Sequence, residues 1–241
     1  MRIFSSVDCL NLWESGAGLH PLDQGLLALC AALPETSQET LADWPLGRRN
    51  AALAQLRSSS FGPRLQGCTA CRQCGEKLEV EFDGRVLATA GAHLSEVSAE
   101  TVLVNGRAFR LPATRDLAKA AEEADARLAT VRLVESCLVE SRLAQNGKPQ
   151  SWSDDELEQI GQAMAAADPL AEALLALRCP VCESESEEIL DIVTFLWGEI
   201  EARARRLLLD IHTLAIAYGW AEADILLLSP RRRAAYMEMA Q

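Results

Sequence analysis

The chain has 241 residues, 49% of them hydrophobic, which is enough for one large domain or two small ones with a sizeable core and no need of disulfides. Its formal net charge of -12 argues against a protein whose main task is to grip phosphate backbones, because that task needs a basic face. The opening residues MRIFSSVDCL form neither a basic nor an apolar leader region, and no run of about 18 apolar residues occurs, so a soluble, cytoplasmic protein is expected.

Residues 1–60 predict an N-terminal segment of short helices. Pro21 fits the first position of one, with Leu22, Leu26, Leu27 and Leu29 on its apolar side and Pro34 beyond its end. Pro45 opens another, in which Leu46, Leu53 and Leu56 share a face, and Gly62-Pro63 breaks the pattern. Residues 61–112 change character. Leu78, Val80 and Phe82 alternate with charged residues, the period of a half-buried strand. Asp83-Gly84 signals a turn, after which Val86-Leu87-Ala88 is the expected partner strand. Asn105-Gly106, between Val102-Leu103-Val104 and Arg107–Leu111, is the strongest hairpin signal, since both residues tolerate the positive φ of a type I′ turn.

From residue 113 to 241 the pattern is helical again. Residues 115–144 are rich in Ala, Leu and Glu. Ser153 is the expected N-cap of a helix reaching about Ala167, with Asp154, Asp155 and Glu156 suited to its dipole. A further helix is expected over Leu170–Leu177. Ser184 and Glu187 have capping-box spacing at the start of the longest helix, roughly residues 186–218. Its stripe runs from Ile189 and Ile192 through Leu196, Ile200, Leu207, Ile211 and Leu214 to Tyr218, and Gly219 ends it. Ser229-Pro230 reads as the N-cap and first residue of a last short helix.

The residues that carry chemistry are two Cys-x-x-Cys pairs, Cys71/Cys74 and Cys179/Cys182, separated by 104 residues. Four thiolates in two such knuckles match the ligand set of a structural zinc site, and in a reducing compartment they read better as metal ligands than as disulfides. A shared ion would staple the middle of the chain to its C-terminal third and leave no open coordination position. Cys68 lies three residues before Cys71, so Cys68/Cys71 is a competing pair; Cys74-Gly75 supplies the tight turn that favours Cys71/Cys74. Cys9, Cys30 and Cys137 sit in apolar helical contexts and read as core residues. A redox pair would need a βαβ context that Cys71 lacks.

Nothing in the sequence indicates catalysis. His20, His93 and His212 are isolated, the acidic clusters sit at helix starts where the dipole accounts for them, and no Ser-His-Asp set, phosphate loop or zinc-protease motif occurs. Arg231-Arg232-Arg233 is less ordinary, because three cations in a first helical turn oppose the dipole. They read either as a solvated face or as a docking patch, for an acidic partner or for an acidic surface of this same chain. Trp197, Trp220, Tyr218 and Tyr236 are expected core aromatics, with Trp220 and Tyr236 also candidates for partner contact.

Several stretches together resemble a family. They are Phe195-Leu196-Trp197-Gly198-Glu199-Ile200, His212-Thr213-Leu214-Ala215 with Tyr218-Gly219-Trp220, Ala223-Asp224-Ile225-Leu226, and Ser229-Pro230-Arg231-Arg232-Arg233 through Tyr236. With Phe109–Leu117 and the hairpin before it, they resemble the T4-type baseplate hub assembly proteins of contractile phage tails and phage-tail-like injection systems. The resemblance spans most of residues 60–240, and members often carry Cys-x-x-Cys knuckles in the same two places. It implies a structural or assembly role at a baseplate, with other baseplate or tail proteins as partners and incorporation into a particle as one possible fate.

The sequence thus predicts a mainly helical protein with a small antiparallel sheet and a four-cysteine, zinc-ribbon-like site joined to a long C-terminal helix. The expected function is non-enzymatic, with structural zinc and with no nucleic acid, membrane or small-molecule substrate. The competing classes are a zinc-ribbon nucleic-acid-binding regulator and a Cys-x-x-Cys thiol-redox protein.

Overall fold

A computed structural model describes residues 1–87, 89–90, 101–139 and 151–240. Its spine is one long helix near the C-terminus, against which three N-terminal helices and the two last helices lie. The N-terminal segment forms α1 (Ser6–Ser15), α2 (Pro21–Ala32), α3 (Gln38–Ala42) and α4 (Leu46–Phe61). Local chemistry starts the first three. Ser5 and Asp8 make a reciprocal capping box on α1, Pro21 stands in the first turn of α2 as expected, and Ser37 caps α3.

The middle of the chain holds β1 (Arg64–Ala70), β2 (Lys77–Asp83), β3 (Thr101–Val104) and β4 (Arg107–Arg110), then α5 (Thr114–Ala120), α6 (Ala126–Cys137) and α7 (Asp154–Ala167). The β3–β4 turn is the one the sequence predicts: Asn105 and Gly106 have φ of 51° and 77°. The expected helix start at Ser153 also forms, as a capping box with Glu156. One expectation fails. Residues 85–87 are helical, and β2 pairs with the preceding strand β1, antiparallel from Arg64↔Asp83 to Ala70↔Lys77. Ala88, the last residue of the expected return strand, lies outside the described residues.

The last third differs more. Leu174–Arg178 is a strand, β5, and Glu185–Ile189 is its antiparallel partner β6, where helix was expected on both sides of Cys179/Cys182. The long helix α8 therefore begins at Ile192, capped by Asp191, and runs to Tyr218. Gly219 ends it in the left-handed region, φ 69°, as expected. α9 (Glu222–Leu226) and α10 (Pro230–Met239) follow, the latter capped by Ser229 with Pro230 at its first position. Among the described residues the sheet content is thus three separate two-stranded antiparallel hairpins.

Three apolar clusters hold these elements. The first half of α8, through Ile192, Val193, Leu196 and Ile200, packs on Leu29, Leu41, Leu53 and Leu56 of the N-terminal helices and on Leu65 of β1. Its second half, through Ala204, Leu207, Ile211 and Leu214, packs with Leu10 of α1 and Ile225 of α9. Phe109, Val134, Cys137, Trp152, Leu157, Ile160 and Met164 make a separate cluster of β4, α6 and α7. Fully burying one such side chain contributes roughly 1.5–3 kcal/mol. No helix among the described residues is long and apolar enough to cross a membrane.

Hairpin β1–β2 is fixed to α8 by shape and charge. Gly67 leaves room for the ring of Phe195, 2.9 Å from where a Cβ would stand, and Phe82 meets the same ring edge-on. The buried Arg57 of α4 donates to the carbonyls of Gly62 and Arg64, at the entry to β1, and pairs with Glu199 of α8. These contacts set the first knuckle beside the second, whose strand β6 leads into α8.

Candidate metal centre

The two Cys-x-x-Cys pairs close their hairpins in the same way. In the first, the Cys71 N–H donates to the Glu76 carbonyl and the Gly75 N–H donates to the Cys71 carbonyl. In the second, the Cys179 N–H donates to the Ser184 carbonyl and the Glu183 N–H donates to the Cys179 carbonyl. The fourth residue after each first cysteine has positive φ: Gly75 at 76° and Glu183 at 58°. Glycine adopts that geometry freely, whereas an L residue accepts a cost of about 1–2 kcal/mol. The knuckle is thus a repeated backbone device, and its backbone N–H groups lie next to the sulfurs.

The hairpins bring the four thiols together. The Sγ atoms of Cys71, Cys74, Cys179 and Cys182 all lie within 4.8 Å of one another and could hold a metal ion. The Cys71–Cys182 and Cys74–Cys179 sulfurs are each 3.6 Å apart. A tetrahedron of sulfurs 2.3 Å from a central ion has edges of about 3.8 Å, so these separations suit four-coordinate binding. Disulfides, at about 2.05 Å, are excluded. Cys71 and Cys179 are buried with Leu78 and half-buried Leu177, while Cys74 is exposed.

The electrostatics of the cluster suit a bound cation. The Ser184 hydroxyl, with the backbone N–H groups of Cys74 and Gln73, holds the Cys71 thiol down at about 6. Ser184 also lowers Cys182. At Cys74 the Glu76 backbone lowers the thiol, but Cys182, burial, Cys179 and Cys71 outweigh it and push it up to about 12. Crowded thiols resist ionising together, and a bound divalent ion removes that resistance by supplying the opposite charge.

Ser184 was not legible as part of the site. The sequence marks it as a helix cap, yet its Oγ lies 3.3 Å from Cys71 Sγ and 3.1 Å from Cys182 Sγ. The signal that could have found it is the matching six-residue loop length of the two knuckles. Arg72 of the first knuckle also bridges to Glu188 of β6, a second link between the hairpins.

Cys68 lies outside the cluster. It stands opposite Glu79 in the β1–β2 ladder and is exposed, so Cys74 is the residue that groups with Cys71. Cys9 and Cys137 are fully buried in apolar clusters and burial pushes each up to about 11, while Cys30 is half-buried. His20 caps α2 through Nδ1, His212 is exposed on α8, and His93 lies outside the described residues.

The C-terminal residues separate. Arg233 is buried and pairs with Asp210 of α8, so it serves a contact within the chain. Arg231 and Arg232 are exposed. Tyr218, Trp220 and Tyr236 form one aromatic group, with Tyr218 stacked on Trp220 at 4.7 Å and Trp220 edge-on to Tyr236 at 4.9 Å. Trp220 and Tyr236 are half-buried against the α8–α9 cluster. No family model, curated protein or solved structure matches the chain.

Proposed function

We propose that this is a non-enzymatic structural or assembly protein whose two hairpins are clamped by one structural zinc ion. The four-sulfur cluster carries this reading. All-thiolate, tetrahedral sites are closed, and zinc is the ion that most often fills them. Cys71, Cys74, Cys179 and Cys182 would hold it, and its role would be to fix β1–β2 against β5–β6, with no position left for substrate. Mononuclear iron also takes four thiolates, and metal analysis of the purified protein distinguishes the two.

The assembly we favour is a contractile-tail or injection-system baseplate, on the resemblance of the α8–α10 region and of Phe109–Leu117. The supporting features are a rigid helical spine, exposed arginines at its far end and an acidic surface. Gene context and a deletion test it. Sheath, tube and spike genes beside this one, and a deletion strain that makes tubes but no finished baseplates, are the expected results. Normal particles from the deletion strain would sink the assignment.

Two knuckled hairpins are also the shape of zinc ribbons that bind nucleic acid. Here the outward strand positions include Glu79, Glu81, Glu185 and Glu187, a poor match to a phosphate backbone.

A further inference from the structure

Two exposed patches on separate parts of the chain are opposite in charge. One is the corner between α9 and α10. Leu227 there is 85% exposed, the highest value among the large hydrophobic residues described. Arg231 and Arg232 follow it, and among the described residues neither makes an ion pair. Both lie in the first turn of α10, where the helix dipole opposes them. Most other arginines among the described residues meet a carboxylate or an aromatic face.

The other patch is the outward face of β5–β6. The ladder pairs Leu174 with Ile189, Ala176 with Glu187 and Arg178 with Glu185. Leu174 and Ile189 are 51% and 63% exposed and side by side. Next to them is an open depression of about 440 Å³ lined by Ala176, Leu177, Arg178, Glu185, Ser186 and Glu187. Arg178 turns to Glu183. Glu185 and Glu187 have no ion pair among the described residues.

We propose that these patches meet between two copies of the chain, Leu227 of one entering the β5–β6 depression of the next, with Arg231 and Arg232 on Glu185 and Glu187. The occupant is inferred from charge complementarity: the chain carries both an uncompensated cation pair beside an exposed leucine and an uncompensated carboxylate pair beside an apolar step. Because the two patches differ, the contact is heterologous, and repetition gives a ring or an open row rather than a two-fold dimer. Both patches are small, so the association belongs to the weak, transient class. The proposal rests on the zinc-clamp reading only for the fixed position of β5–β6.

Sedimentation of the purified, metal-containing protein tests it. Wild type should associate with rising concentration. Arg231→Glu/Arg232→Glu should weaken association by about tenfold or more, and Glu185→Arg/Glu187→Arg should do the same. Mixing the two variants should restore association, since the first variant's acidic face meets the second's basic corner and the swapped charges pair at the other contact. Metal content and circular dichroism on the same samples separate a failed clamp or fold from a failed contact. Wild type that stays monomeric to about 0.5 mM, either variant associating like wild type, or a mixture that does not pair would overturn the proposal.

Discussion

Asp168 closes α7 and holds the first turn of α4 from 121 residues away: its Oδ2 accepts the Gly47 N–H at 2.8 Å. Gly47 is required there, because a Cβ would stand 1.8 Å from Asp168 Oδ1. Burial raises the Asp168 carboxyl above its ordinary value of 3.8, and the single Gly47 N–H only partly offsets this. A raised folded value means that the folded state holds the proton more tightly. The resulting stability is fully present below about 3.8 and is lost as pH rises through the folded value. Asp168→Asn, which keeps an acceptor and removes the charge, should therefore gain stability relative to wild type between about pH 4 and pH 7. Urea unfolding of both proteins across that range checks it, and a difference independent of pH would contradict it. The four clustered cysteines are legible in the sequence because Cys-x-x-Cys spacing is a local chemical signal. The Asp168–Gly47 and Arg233–Asp210 contacts are not, because their partners are set by packing alone.

At the scale of elements, most caps and turns were legible, the expected Ser184–Glu187 capping box excepted, and strands with weak patterning were not. Ser153, Ser229-Pro230, Gly219 and Asn105-Gly106 each act within a few residues, and each forms as expected. Strands β5 and β6 read Leu-Leu-Ala-Leu-Arg and Glu-Ser-Glu-Glu-Ile, which are rich in helix formers. The knuckle between them, with its backbone bonds and four-sulfur cluster, turns them into a hairpin against their propensity. Strand β1 was missed because Gly67 and polar residues interrupt its alternation; its partner β2 and the Phe195 ring define it. With the proposed metal bound to their four cysteines, hairpins built this way should depend on it. Removing it with a chelator should speed amide hydrogen exchange in β1–β2 and β5–β6 by about 100-fold or more. Protection in the α1–α8 contact should change little. Equal loss across α8 would show instead that the clamp and the helical core unfold as one.

On the proposed function, the whole molecule divides its stability between a helical core along α8 and a metal clamp that joins two segments far apart in sequence. The β1–β2 and β5–β6 hairpins meet through little apolar surface, chiefly Leu78 and Leu177 with the thiols, and one ion pair, Arg72–Glu188. An exposed pair of that kind contributes about 0–1 kcal/mol. A structural zinc site contributes on the order of 10–16 kcal/mol in small peptides, so a bound ion would outweigh every other contact that holds these hairpins together. The most direct test of the clamp is metal content per chain, measured on purified wild type and on Cys71→Ser, Cys179→Ser and Cys68→Ser variants. The account predicts one zinc per wild-type chain, its loss in both Cys71→Ser and Cys179→Ser, and its retention in Cys68→Ser. Full metal content in both ligand variants would contradict a shared site.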